Sequence, residues 1–237
     1  MGNQNYKEEL KARILSFNKE LNEVCKNCGR KLVEVRVVYA TKYLTANQLV
    51  DFLMIANDIG LIPVLLGENR VQDAEMKLKY IRENNPDLTM DFLPIMIGNL
   101  QKNKINKAID LFEEIHVIDS LELAQALNER IGHKGKVMSI FLEVNISGEE
   151  SKHGIKVEEV AKVVKVVKGF SNIKLKGFMT MAPFANDPEE VRPIFRKLRK
   201  IADQYGLLTS MGMSNDWNIA IEEGTDFIRI GSRIFRH

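Results

Sequence analysis

The chain alternates short apolar runs with longer stretches in which apolar residues recur every three or four positions. Eight runs have strand length: Val33–Tyr39, Ile62–Leu66, Phe92–Ile97, Ile115–Ile118, Ser139–Val144, Leu175–Met181, Ser210–Met213 and Phe227–Ile230. Several are apolar on both faces of the two-residue alternation, as parallel strands covered on both sides should be. Most are followed by a polar turn and then a helical pattern. Pro63 and Pro94 fall near strand beginnings, where a missing N–H does least harm. Between the fifth and sixth strands, Val157, Val160, Ala161, Val164 and Val167 predict one apolar helix face. Lys162, Lys165 and Lys168 mark a solvated face beside Glu158 and Glu159.

Eight strands with intervening helices predict an α/β chain folded as a single (β/α)8 TIM-type barrel over residues 1–237. An open doubly wound sheet is the competing architecture, but the glycine fingerprint of a dinucleotide site is missing. No helix follows the eighth strand before the sequence ends at His237. The segment Tyr6–Cys25 predicts an extra N-terminal helix instead, which in a closed barrel can cover the seam between strands one and eight.

Composition narrows the function classes. A hydrophobic fraction of 45% and a charged fraction of 28% suit a globular chain with a full core. Lys and Arg number 34 against 32 Asp and Glu, so nothing calls for nucleic acid or an anionic membrane. No apolar run approaches the ~20 residues that span a bilayer, and the polar start of the chain lacks the apolar core of a signal peptide. Cys25 and Cys28 form a C-x-x-C pair without a second pair to complete a zinc site. They read as reduced thiols of a cytoplasmic protein.

In a β/α barrel the chemistry lies at the C-terminal ends of the strands. Two features converge there. Gly212, Ser214, Gly231 and Ser232 cluster after strands seven and eight, where barrels commonly bind phosphate through backbone N–H groups and small hydroxyls; as residues alone, they are equally well plain turns. Lys42 ends strand one within an apolar run. A lysine in such a mouth would be partly desolvated and suited to Schiff-base chemistry, although by position alone it reads more simply as a surface lysine. His116 lies inside strand four and reads as a satisfied barrel histidine. His133, His153 and His237 show no metal spacing, and Asp119 reads as the start of a turn or a helix cap.

Taken together, the motifs resemble the pyridoxal phosphate homeostasis proteins, a family similar in fold to the N-terminal barrel of alanine racemase. The matching segments are Tyr39-Ala40-Thr41-Lys42, Leu66-Gly67-Glu68-Asn69-Arg70-Val71-Gln72, Ile97-Gly98-Asn99-Leu100-Gln101-Lys102-Asn103-Lys104, Glu143-Val144-Asn145-Ile146-Ser147 and Ser151-Lys152-His153-Gly154. They continue through Gly177-Phe178-Met179, Ser210-Met211-Gly212-Met213-Ser214-Asn215-Asp216 and Ile228-Arg229-Ile230-Gly231-Ser232-Arg233-Ile234-Phe235. The chain departs from the family pattern at Pro94-Ile95-Met96, where Trp-His-Phe is usual, and at Leu66, Arg70 and Arg236.

The resemblance implies that pyridoxal 5′-phosphate is held as a Schiff base on Lys42. It implies phosphate contacts from Ser214, Gly231 and Ser232, with Met213 in the same loop, Arg229 beside the pyridine nitrogen and Asn69 lining the pocket. A guanidinium can only donate hydrogen bonds, so at that nitrogen it would keep the ring unprotonated and a poor electron sink. The implied function is storage, buffering or delivery of the cofactor without turnover, by a monomer whose further partners are apo-enzymes. The competing reading is a pyridoxal phosphate-dependent amino-acid racemase, which needs a second base that the sequence does not reveal. No catalytic residue and no metal are expected.

Overall fold

The apolar runs lie side by side in chain order and close on themselves. In the computed structural model, residues 2–85, 88, 91–149 and 152–236 are described. The strands are β1 (Arg36–Ala40), β2 (Val64–Glu68), β3 (Phe92–Met96), β4 (Glu114–Ile118), β5 (Met138–Asn145), a two-residue β6 (Ile155–Lys156), β7 (Ile173–Met179), β8 (Leu208–Ser210) and β9 (Phe227–Ile230). All pairings are parallel. They run β1–β2–β3–β4–β5–β7–β8–β9 and return to β1, with β6 added beside β5. This is the closed eight-stranded (β/α)8 barrel expected from the pattern.

The helices are α1 (Gly2–Asn27), α2 (Ala46–Asp58), α3 (Val71–Asn84), α4 (Ile105–Leu111), α5 (Leu121–Gly132), α6 (Val160–Val167), α7 (Arg192–Tyr205), α8 (Trp217–Glu222) and the single turn α9 (Ser232–Phe235). Leu10, Ile14, Phe17, Leu21 and Cys25 form one buried stripe along α1. They share an apolar cluster with Tyr39 on β1, Ile228 and Ile230 on β9, and Trp217 and Ile221 on α8. The N-terminal helix therefore covers the β1–β9 seam, with α9 adding a short turn after the last strand.

Several local expectations need correction. Val33 stands in a 3₁₀ turn (Leu32–Glu34) before β1 and is 85% exposed. The seventh run leaves the strand after Ser210, because Gly212 has φ +93°, which breaks the pleat. Pro94 is the third residue of β3, as it is of the run that predicted the strand. Its position costs little: the Ile97 N–H bonds Glu68 O on β2, so the alternation turns Pro94 nitrogen toward β4, where pairing begins only at Ile95. On α6 the buried residues are Val160, Val163, Val164 and Val167, while Ala161 is exposed. At 3.6 residues per turn these four valines share one arc that Ala161 falls outside. Ser120, not Asp119, caps α5, its Oγ accepting from the Leu123 N–H at 3.3 Å. Of the three scattered histidines, His237 lies outside the described residues.

Alternation along the strands decides what faces the barrel axis. Arg36 and Val38 on β1 pair with Phe227 and Arg229 on β9, placing these four on one face. The Arg229 guanidinium reaches the carbonyls of Thr180 and Ser210 beyond the neighbouring strands, so that face is the interior.

Candidate functional site

Lys42 follows β1 in the 3₁₀ turn Thr41–Tyr43, and both flanks of that turn are anchored. On one side Thr41 is buried, and its Oγ1 donates to Glu68 Oε1 at 2.6 Å. Glu68 is also paired with Lys77 of α3: Lys77 Nζ lies 2.8 Å from Glu68 Oε1 and 2.8 Å from Thr41 O. On the other side Thr45 opens α2 with a capping box, its Oγ1 accepting from Gln48 N–H while Gln48 Oε1 accepts from Thr45 N–H. Between these anchors the Lys42 side chain is exposed, with Nζ 5.0 Å from the centre of the Tyr43 ring. Burial therefore does not supply the desolvation expected of it. The chain turns after Ala40, Thr41 takes the buried place, and the amine emerges at the mouth.

Above this end of the barrel lies a cavity of about 410 Å³. Lys42, Asn69, Arg229 and Gly231 line it, as do Met213, Ser214 and Ser232. All seven residues singled out in the sequence thus meet at one place. Asn69 is brought in by a close backbone approach, since a Cβ on Gly98 would collide with Asn69 O and Cα. Ser214 Oγ accepts from the N–H groups of Gly231 at 3.3 Å and Arg233 at 3.4 Å, tying the loop after β8 to the turn after β9. Asp216 shapes the same loop, its Oδ1 accepting from Met213 N–H at 2.6 Å. Burial pushes the Asp216 carboxyl above its usual range against that hydrogen bond.

Arg229 is buried. Its Nη1 donates to Ser210 O at 2.8 Å and to Ser210 Oγ at 2.9 Å, and its Nη2 donates to Thr180 O at 2.9 Å. Among the described residues it has no carboxylate within 4 Å, and Glu68 is paired with Lys77. Desolvation pulls the guanidinium down to about 10, opposed by the charges of Asp216 and Glu143. It remains a cation and a donor at neutral pH.

Other lining residues carry no chemical signature in the sequence. Tyr43 stacks between Lys42 and Arg236, whose guanidinium carbon lies 4.3 Å from the ring centre. The loop after β7 contributes Ala182, Pro183, Phe184 and Ala185, with Phe184 80% exposed at the rim. The only hint was an apolar tetrapeptide outside any strand or helix. Among the described residues no group of three or more His, Cys, Asp or Glu side chains could hold a metal, and no helix is long and apolar enough to cross a membrane. Cys25 is buried in α1, Cys28 is half-buried just beyond it, and both are free thiols raised by burial.

Residues 71–237 match the family model of the alanine racemase N-terminal domain. A pyridoxal phosphate homeostasis protein of Aquifex aeolicus is 34% identical over 230 residues, covering 94% of this chain and 96% of that one. A structure of PipY from Synechococcus elongatus with pyridoxal phosphate bound superimposes with a TM-score of 0.79 at 25% identity, over 96% of this chain and all of the other. An uncharacterised protein of Bifidobacterium adolescentis reaches a TM-score of 0.85 at 27% identity, over 97% and 95% of the two chains. With a barrel of that fold and a relative of that identity along nearly its whole length, the chain belongs to the pyridoxal phosphate homeostasis protein family, built on the alanine racemase N-terminal barrel.

Proposed function

We propose that this chain binds pyridoxal 5′-phosphate in the cavity above the barrel and holds it on Lys42 for storage, buffering or delivery. One observation carries the reading. A single exposed amine, a donor-only guanidinium without a carboxylate partner, and a cradle of two serines with backbone N–H groups line one cavity of about 410 Å³. The donor set fits the group. Its phosphate suits Ser214, Ser232 and the N–H groups of the β8 and β9 loops, its ring nitrogen suits a hydrogen-bond donor such as Arg229, and its aldehyde suits an amine.

When bound, the cofactor supplies an aldehyde that condenses reversibly with an amine and releases water. Lys42 supplies that amine, at the end of a turn fixed by the Glu68–Lys77 pair and by the capping box of α2. Ser214, Gly231 and Ser232 hold the phosphate, so the ligand stays in place while Lys42 is free. Met213 and Asn69 complete the lining. Arg229 donates to the ring nitrogen and keeps it from taking up a proton, which disfavours racemase or transaminase turnover. On this reading the protein is a cytoplasmic monomer whose partners, besides the cofactor, are apo-enzymes that receive it.

The test is the near-ultraviolet and visible absorption of purified protein incubated with pyridoxal phosphate, before and after borohydride. A band that borohydride abolishes, lost in Lys42→Ala with far-ultraviolet dichroism unchanged, is the expected outcome. A reduced adduct mapping by mass spectrometry to another lysine refutes the assignment.

A further inference from the structure

A chain of hydrogen bonds crosses the inside of the barrel and ends on Arg229. It begins near the opposite mouth, where Lys176 donates to Glu114 Oε1. Both residues line a second cavity, of about 500 Å³, at that end. Glu114 Oε2 lies 3.0 Å from His116 Nε2. His116 Nδ1 lies 3.3 Å from Ser210 Oγ, and Ser210 Oγ lies 2.9 Å from Arg229 Nη1. The five residues come from four strands, β4, β7, β8 and β9.

The two ends of this chain set its direction. Arg229 can only donate, so Ser210 Oγ accepts there. An ionised Glu114 can only accept, so His116 carries its proton on Nε2. The unprotonated Nδ1 then accepts the Ser210 hydroxyl proton, and no lone pair faces a lone pair anywhere along the run. The ionisation states agree. Burial holds the His116 imidazole below its usual range, which keeps it neutral, and no solvent reaches it. Burial pushes Glu114 up, but hydrogen bonds from His116 and Lys176 outweigh this and hold it at about 2. The ring is also fixed by packing, with its centre 4.0 Å from that of Phe141 and 5.3 Å from that of Phe227, edge to face.

We propose that His116, braced by Glu114, is a positioning residue for Arg229, acting through the Ser210 hydroxyl. The backbone carbonyls of Ser210 and Thr180 fix two points of the guanidinium. The Ser210 hydroxyl supplies a third, and its lone pair faces Arg229 only while its proton is engaged by His116. In this way two residues that touch no ligand set the tilt of the group that meets the ring nitrogen. The inference rests on the reading of the cavity as a pyridoxal phosphate site, so its test has one arm that needs no cofactor.

Two substitutions cut the chain at different links. Ser210→Ala removes the hydroxyl, and His116→Phe keeps a flat ring between Phe141 and Phe227 but removes both nitrogens. In unliganded protein with ¹⁵N-labelled arginine, NMR reads the hindered rotation and hydrogen exchange of the Arg229 guanidinium. Each variant should speed these about tenfold, equivalent to ~1.4 kcal/mol. The double variant should be no faster than the faster single one, because both cut one chain. With ¹⁵N-labelled pyridoxal phosphate bound, the ring-nitrogen resonance should move the same way in both variants. If His116→Phe does not fold, Ser210→Ala removes one neighbour of His116 and Glu114→Leu, which leaves no acceptor for the Nε2 proton, removes the other. Lower melting temperatures with unchanged Arg229 dynamics would make the chain structural only and overturn the inference, as would strictly additive effects. Altered Arg229 dynamics in a protein that forms no borohydride-sensitive band would instead uphold the positioning role and sink the cofactor reading.

Discussion

The buried pair behind Lys42 should dominate the stability of the site. Glu68 and Lys77 are 6% and 4% exposed at their side chains, with Nζ and Oε1 2.8 Å apart. Lys77→Met keeps an unbranched apolar stem of similar length, so the loss is electrostatic and not a cavity. It removes hydrogen bonds to Thr41 O and Glu68 Oε1 and leaves a buried carboxylate whose only remaining side-chain donor among the described residues is Thr41, since Oε2 has no partner among them. Breaking a buried pair by deleting one member typically costs about 3–5 kcal/mol. For a domain of this size each kcal/mol lowers the melting temperature by about 2–4 °C, so a drop of roughly 6–20 °C is expected. The double variant Glu68→Gln/Lys77→Met removes both charges and keeps an acceptor for Thr41; it should recover at least half of the loss. The assay is urea unfolding followed by far-ultraviolet dichroism, with m-values compared to check that the transitions are alike. A Lys77→Met deficit below about 1 kcal/mol, or a double variant no better than the single one, would refute the account.

Other consequences can be measured on the same material. Removing both hydroxyls in Ser214→Ala/Ser232→Ala should weaken pyridoxal phosphate binding at least tenfold per hydroxyl, because hydrogen bonds to charged groups are worth ~1.5–3 kcal/mol; titration with pyridoxal, which lacks the phosphate, should show little change. Glu114 is held at about 2 against an ordinary 4.5, so the stability it contributes is present above about pH 4.5 and lost as the pH falls toward 2. Acid unfolding of wild type and Glu114→Gln should therefore converge across that window. Gly212→Ala forces a Cβ into a φ of +93° with Ala220 Cβ 2.5 Å away. It should cost more than ~1 kcal/mol and shift the Met213–Asp216 loop, read as a lower urea midpoint together with weaker cofactor binding.

The period of the apolar pattern made the barrel legible, because parallel strands covered on both sides tend to be apolar on both faces, as β3 is at every position. Their ends were harder. Met211 and Met213 are as apolar as any strand residue, and only the backbone of Gly212 shows that the chain has already turned. Lys42, Ser214, Gly231 and Ser232 were legible because each stands just beyond a strand, and a barrel gathers such positions at one end, whereas Asn69, Met213 and Arg229 entered through the family resemblance. What stood out least were contacts made through geometry alone. Lys77 looks like a surface lysine in a helix, yet α3 docks its stem into the barrel edge and its ammonium finds a carboxylate nine residues back. His116 reads correctly as a satisfied histidine, but its partners lie 2 and 94 residues away, and no local spacing announces Ser210.

The exposure of Lys42 bears directly on what kind of protein this is. A catalyst that works through a covalently held cofactor gains by burying the attachment point, since desolvation sharpens the chemistry and excludes stray amines. A carrier has the opposite need. To pass the cofactor on, an amine from outside must attack at the position Lys42 occupies, and then Lys42 must leave. The structure divides the site accordingly. Arg229 is buried and held by three hydrogen bonds, whereas Lys42 is exposed beside Tyr43, on a rim that includes the exposed Phe184. With the cofactor bound as proposed, that arrangement would favour exchange over turnover. The exposure agrees with the plain surface-lysine reading of the position, but the turn that carries Lys42 outward could not be read there, because it is fixed by Glu68 and Lys77, two residues that the sequence places 26 and 35 positions further on.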